Sequence, residues 1–361
     1  MSMQACVMKR SLLFFLFFAV FLSGKAQFYY PIQQDAIDFS KRKLLVQILE
    51  EDDKAHKRLK EKNNHDKVEW EKDVVDYKKL IVQHNEWLKM AVSKYWKLNK
   101  FIEFKTQTEI NEILNNPKTM REYAVLNTGW RNEYRYKNNL ATPEEVYTFV
   151  VYVAEATDRH LPDLKRGPTH KMDYIFKVAF PSDVLNMSDF IFAVQQFNFH
   201  ISNATVEGHT LERYRTLTHI PPFNKLGYEL IKKKTLLIPE EIIEKGKEEE
   251  LKLAYGYHFE IAGSKLYEEA VEQQFAKYIY FTLAWSDRQN NFVYYVVNAS
   301  EGIILAELGH ISPTLQFEHH ALDNESTNTA SGQKTAGTYK SKIGLSMNTI
   351  IQLEHLIGPA K

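Results

Sequence analysis

Side chains able to do chemistry are present in the chain but scattered. The densest group is Glu318, His319, His320 and Asp323, whose oxygen and nitrogen atoms suit a divalent metal. Neighbouring imidazoles in a loop do not converge by default. A zinc hydrolase instead sets two His one helical turn apart with a Glu between them, and no His-Glu-x-x-His occurs here. His200, His209 and His219 are spaced too loosely to define a site. The Gly-x-Ser-x-Gly nucleophile turn, the Gly-x4-Gly-Lys-Ser/Thr phosphate loop and the Gly-x-Gly-x-x-Gly dinucleotide turn are all missing. Paired carboxylates such as Glu240 and Glu241 are common in a chain with 25% charged residues and read as surface acids. No catalytic residue, metal set or cofactor motif is therefore expected, and the chain reads as non-enzymatic.

The lone cysteine, Cys6, belongs to the N-terminus. There Lys9 and Arg10 precede the apolar run Ser11 to Leu22, and Gly24 and Ala26 supply the small residues a signal peptidase recognises. The run is shorter than the roughly 20 residues that span a bilayer, so residues 1–26 read as a cleaved signal peptide with Gln27 as the new terminus. Met8 would serve equally well as the start. Cleavage leaves 43 basic and 46 acidic side chains, because Lys9, Arg10 and Lys25 leave with the signal and no acid does. The mature chain has no thiol for a disulfide, and its near-neutral charge gives no bulk attraction to nucleic acid or an anionic membrane. The expected location is secreted, periplasmic or outer-envelope, with no transmembrane span. The ending "GKAQ" and a usage rich in Lys, Asn, Ile, Phe and Tyr resemble exported proteins of the Bacteroidetes. Asn186, Asn203, Asn298 and Asn324 stand in Asn-x-Ser/Thr sites, which would be glycosylation acceptors in a eukaryote.

The pattern predicts an α+β fold. Residues 34–122 read as an antiparallel helical hairpin, with Ile37, Leu44, Ile48, Ala55 and Leu59 on the first helix. On the second, Val74, Ile81, Leu88, Tyr95 and Ile102 recur every seven residues, interleaved with Tyr77, His84, Ala91 and Leu98, after Asp66 as N-cap. That stripe is either a coiled-coil docking face or a face buried within this chain, with His84 a seam residue. Residues 127–141 read as a linker, and Pro143 to Thr157 as a helix on the spacing of Val146, Phe149, Val150 and Val153. Residues 142–250 form a mixed region with a strand over "KMDYIFKVAF", a helix capped by Ser182, a strand over "LGYELIKKKTLLI" and a short charged helix from Pro239. The alternation in "LKLAYGYHFEI" predicts a strand, and "SKLYEEAVEQQF" a helix capped by Ser264. Three antiparallel strands end the module at 251–311, and 312–361 is a loop-rich tail. No period of 20–50 residues repeats, which argues against a solenoid.

"YYVVNASEGIILAEL" resembles the closing hairpin of PepSY and FTP modules, found in propeptides of thermolysin-type and fungalysin-type metalloproteases. Asn298 to Leu305 occupy their Asp-Ala-x-Thr-Gly-x-Val/Ile-Leu pattern, with Asn298 for Asp and Glu301 for Thr. Asn298 and Gly302 are read as turn-makers, one bonding back to the backbone and the other supplying positive φ. The resemblance, over about residues 250–310, implies a domain that binds a secreted protease or another envelope protein. The expected function is thus an exported, non-catalytic protein-binding module, possessing no cofactor. The alternative is an assembly component of a bacterial envelope or secretion apparatus that docks through its helical hairpin.

Overall fold

Runs of consecutive apolar residues, rather than alternating ones, form the centre of the molecule. A strand covered on both faces needs apolar side chains at every position, and mixed sheets flanked by helices create that environment. The computed structural model describes residues 33–63, 66–116, 118–135, 144–155, 173–181, 185–206, 225–243, 247–286, 289, 291–309 and 345–358. Among them are nine α-helices and two mixed sheets of five strands each. The chain is α+β.

The first half runs α1 (Gln33–Lys41), β1 (Lys43–Ile48), α2 (Asp53–Lys62), α3 (Lys67–Tyr95), β2 (Ile102–Thr106), α4 (Gln107–Leu114), β3 (Tyr123–Arg135), β4 (Glu144–Glu155), β5 (Asp173–Phe180) and α5 (Met187–Thr205). Its sheet order is β2-β1-β3-β4-β5. β1 is parallel to both β2 and β3, which requires the helical crossovers, whereas β3, β4 and β5 form antiparallel ladders. The second half runs α6 (Lys225–Lys233), β6 (Thr235–Pro239), α7 (Glu248–Ala254), β7 (Phe259–Ala262), α8 (Ser264–Glu272), β8 (Tyr278–Ser286), β9 (Asn291–Asn298), β10 (Ile304–Leu308) and α9 (Met347–Ile357). Its sheet order is β7-β6-β8-β9-β10, again with the first three strands parallel and the last three antiparallel.

The two halves are the same unit built twice, with matching positions about 190 residues apart in the first strand. Register makes the equivalence residue by residue. Leu44 pairs with Ile102 and Ala124, and Leu236 with Phe259 and Ile279. Trp130 stands opposite Phe149 in the backbone ladder, as Trp285 stands opposite Phe292. Even the irregularity recurs: the ladder skips Ile175 in β5 and Leu305 in β10, the same position of the last strand. The sequence carries the echo once it is aligned this way. "FVVYVAE" (Phe149–Glu155) matches "FVYYVVN" (Phe292–Asn298), and "LNMSDFI" (Leu185–Ile191) matches "LSMNTII" (Leu345–Ile351).

Several expected elements take another form. The first helix of the hairpin is interrupted: Leu44, Leu45 and Val46, all fully buried, form β1, an inner strand between β2 and β3, and only α2 pairs with α3. Residues 144–155 are strand β4 rather than a helix, because a twelve-residue ladder with β3 satisfies the backbone and suits the β-branched run. The same ladder extends β3 to Arg135, through most of the expected linker. "LGYELIKKK" is helix α6, and the strand begins only at Thr235. "LKLA" ends helix α7, leaving β7 to start at Phe259. Gly263, not Ser264, is the N-cap of α8, and Asn186 caps α5 in a reciprocal box with Asp189. The sheets also cross the expected divisions at 122 and 250, since β1 pairs with β3 and β6 pairs with β8. The signal peptide, Ser182 and the tail up to residue 344 lie outside the described residues.

In the turn Asn298 to Gly302 the glycine takes the expected positive φ, whereas the Asn298 side chain bonds the side chains of Lys234, Ser300 and Glu301 in place of the backbone. The Gly302 N–H donates to the Asn298 carbonyl at 2.8 Å, and Gly302 has φ of +71°. A Cβ on Gly302 would also overlap the side chain of Gln195 on α5. Gly302→Ala should therefore cost at least about 1–2 kcal/mol from the backbone alone, read as a lower urea midpoint at unchanged m-value.

Candidate interaction face

The heptad stripe of α3 is consumed inside the chain. Ile81, Leu88 and Tyr95 are buried, Val74 is partly so, and Ile102 lies on β2 rather than on the helix. Leu59 and Ala55 of α2 cluster with Tyr77 and Ile81. The expected docking face is thus a packing face. His200 is buried on α5 and stacks on Phe176 with ring centroids 4.4 Å apart, while His209, His219, His319 and His320 lie outside the described residues. Among the described residues, no three His, Cys, Asp or Glu side chains gather as a metal site. No described helix is long and apolar enough to cross a membrane.

α5 is the element through which the halves meet. On one side it packs against α1, α3 and β5 of its own half, and on the other against α8. Glu268 of α8 accepts from the Ser188 backbone N–H at 2.8 Å and from the Ser188 hydroxyl at 2.9 Å, so a carboxylate of the second half satisfies the first turn of a helix of the first. Phe192 stacks on Tyr295 at 6.3 Å, and Gln196 Nε2 donates to the Gly302 carbonyl at 2.7 Å. Beside this helix, Val150, Tyr152, Ala154 and Ala179 close over Trp285 and Phe292. At the end of α3, Lys94 Nζ and the Tyr95 hydroxyl both donate to the Glu272 carbonyl.

The duplicated counterpart of α5 is α9, and its surroundings differ. On one side α9 packs on its own sheet: Ile350, Leu353 and Ile357 join Ile231 of α6 and Leu251 of α7 in the second core. The matching positions on the other side are open. Ser188, Ile191, Phe192, Gln195 and Gln196 are all buried at the junction, whereas Asn348, Ile351, Gln352, His355 and Leu356 are all exposed. Large aliphatic side chains stand out around this face: Leu226 is 74% exposed and Leu230 38% on α6, Leu253 is 88% exposed on α7, and Ile351 and Leu356 are 40% and 39% exposed on α9. Single exposed leucines are ordinary, but five on three adjacent helices make this a candidate interaction face. Sequence reasoning missed it because the signal is relational: the face is conspicuous only once α9 is recognised as a second α5.

His84 shows what a polar group in the core costs. It sits in α3 with its ring edge-on to Phe190 at 4.9 Å and Phe149 at 6.4 Å, and its Nε2 has no hydrogen-bond partner. Burial pulls its pKa down from 6.5 to about 4. The folded state thus binds fewer protons than the unfolded one between those values, so His84 contributes stability above pH 6.5 that is lost as pH falls through 4. Over that window the loss is about 3 kcal/mol. His84→Leu should remove this part of the acid sensitivity, measured as the difference in urea stability between pH 4 and pH 7.

Compared with known proteins, the chain matches no family model, no curated protein and no solved structure.

Proposed function

We propose that the chain is a non-catalytic protein-binding module that presents the outer face of α6, α7 and α9 to a protein partner. The supporting observation is the contrast between duplicated helices: five positions buried by protein on α5 are open on α9, amid Leu226, Leu230 and Leu253. A face of this composition gains from being covered at roughly 25 cal/mol per Å² of apolar area removed from water. With the export signal expected at residues 1–26, the partner belongs outside the cytoplasm. The resemblance over residues 250–310 gives a secreted protease or an envelope protein as the kind of partner.

A second reading, an envelope assembly component docking through the long helix, draws on a different surface. Val68, Val75 and Val82 are 73%, 49% and 55% exposed on α3, again every seven residues but on the outer side.

Affinity capture with the mature chain from its native cells separates the two. Leu253→Ser with Ile351→Ser should reduce the amount of the specifically retained protein at least tenfold, while stability changes by no more than about 0.5 kcal/mol, as is usual for surface sites. Loss of the same protein on replacing Val68, Val75 and Val82 by Ser, with no effect of the first pair, would transfer the binding role to α3. Retention unaffected by either set would sink both readings.

A further inference from the structure

The first sheet opens at one end. Its β1–β3 ladder stops at Val46 and Leu126, whereas β1 stays paired with β2 through Ile48 and Thr106, and β3 with β4 as far as Arg135 and Glu144. β1 and β3 therefore part at Gln47 and Asn127. This is the C-terminal end of three parallel strands, and the connections leave it in opposite directions. α4 covers Leu45 and Val125 on one face, while α3 lies on the other, with His84 against Phe149. Crevices of this kind are where ligands enter sheets with parallel strands.

Gln47 and Asn127 belong to the α4 side, two residues on from Leu45 and Val125. Gln47 is only 7% exposed, and its Oε1 has no hydrogen-bond partner. Asn127 Oδ1 accepts from the Thr128 N–H at 2.7 Å, which leaves Nδ2 as a donor. Next on that side of β3 is Gly129. Among the described residues nothing lies within 4 Å of where its Cβ would stand, so the crevice continues over it. The far wall is aromatic: Tyr152 pairs with Asn127 and Val150 with Gly129, and both belong to the cluster around Trp285. The duplicated position in the second half already holds a ring, since Phe192 stacks on Tyr295, the counterpart of Tyr152. Charge at the crevice is neutralised within the chain. Lys105, beside Gln47 on β2, lies 3.5 Å from Glu109 and 3.9 Å from Glu103, and Glu109 accepts from the Thr106 N–H at 2.8 Å. An anion at the start of α4 would meet that carboxylate.

We propose that this crevice binds a neutral sugar ring. Hydroxyl groups both donate and accept, so they supply the donor that Gln47 Oε1 lacks and the acceptor for Asn127 Nδ2, while the C–H face of the ring rests on the aromatic wall. An unpaired buried acceptor costs the free protein stability, which the bound ligand restores.

Isothermal titration calorimetry of the full mature chain with D-glucose, D-galactose, D-mannose and N-acetyl-D-glucosamine, each to tens of millimolar, tests this. At least one should bind saturably. Gly129→Leu fills the crevice from a strand position without positive φ, so it should weaken that binding at least tenfold while the urea midpoint holds or rises. Gln47→Leu should weaken it as much and raise the midpoint, because it leaves no unpaired acceptor there. A residue with only a structural role would instead lower the midpoint when replaced. Should near-ultraviolet circular dichroism show Gly129→Leu to be unfolded, Gln47→Leu decides alone. Saturable binding of none of the four sugars would overturn the proposal, as would unchanged affinity in either folded variant or a midpoint lowered by Gln47→Leu. Saturable binding of inorganic phosphate that Gly129→Leu abolishes would overturn it too, by making the crevice an anion site.

Discussion

Each sheet in this molecule has two apolar faces, and the chain must cover four such faces with nine described helices. β9 illustrates the constraint: every residue from Asn291 to Asn298 is buried. Tyr294 and Val296 point into the core beneath α6, α7 and α9, and Tyr295 meets Phe192 of α5. One helix of the first half therefore covers part of both sheets. That shared use of α5 is what joins two copies of a unit into one compact body, and it explains why α5 is buried on nearly every side while α9 is not. It also explains the polar residues in the seam. Gln195, Gln196 and Ser188 sit where the two halves meet, and the hydrogen bonds from Gln196 to Gly302 and from Ser188 to Glu268 tie them together.

Much of the second half was legible in the sequence. The order helix, then three antiparallel strands, follows from local signals that tertiary packing did not override: the Asn298 to Gly302 turn, the aromatic run of β9 and the amphipathic α8. The first half was read less well, and for a physical reason. β1 and β4 are apolar at successive positions because both their faces are covered, and such runs show neither period 2 nor period 3.6 reliably. Val146, Phe149, Val150 and Val153 fit a helical face by coincidence of a continuous run. The long helix α3 was clear in extent, and Asp66 does accept from the Val68 and Glu69 N–H groups. What its stripe faces was not, because an amphipathic pattern states that a surface is covered and not by whom.

The duplication was invisible to a search for short periods, since two long copies offer a single repeat whose offset shifts from strand to strand with the unequal connections. α2 and α3 fill the β1 to β2 crossover that α7 alone fills between β6 and β7. Conversely, β10 and α9 are separated by 38 residues where β5 and α5 are separated by six. Such divergence hides the repeat in the helices and leaves it readable in the strands, where the register of a ladder tolerates no insertion. The candidate face follows from this duplication: one copy buries these positions against its neighbour, and in the other copy the matching positions are exposed.

The bond from Gln196 to Gly302 spans 106 residues, and this separation has a consequence for how the chain is made. Synthesis proceeds from the N-terminus, so α5 is complete well before the turn that covers it has emerged. Until then Ile191 and Phe192 face water on a helix whose first turn lacks the carboxylate that satisfies it. The nascent first half is thus a sticky intermediate with a defined lifetime, set by the time taken to deliver about a hundred further residues. A chaperone that shields this one helix during that interval would serve the chain better than a faster-folding first half.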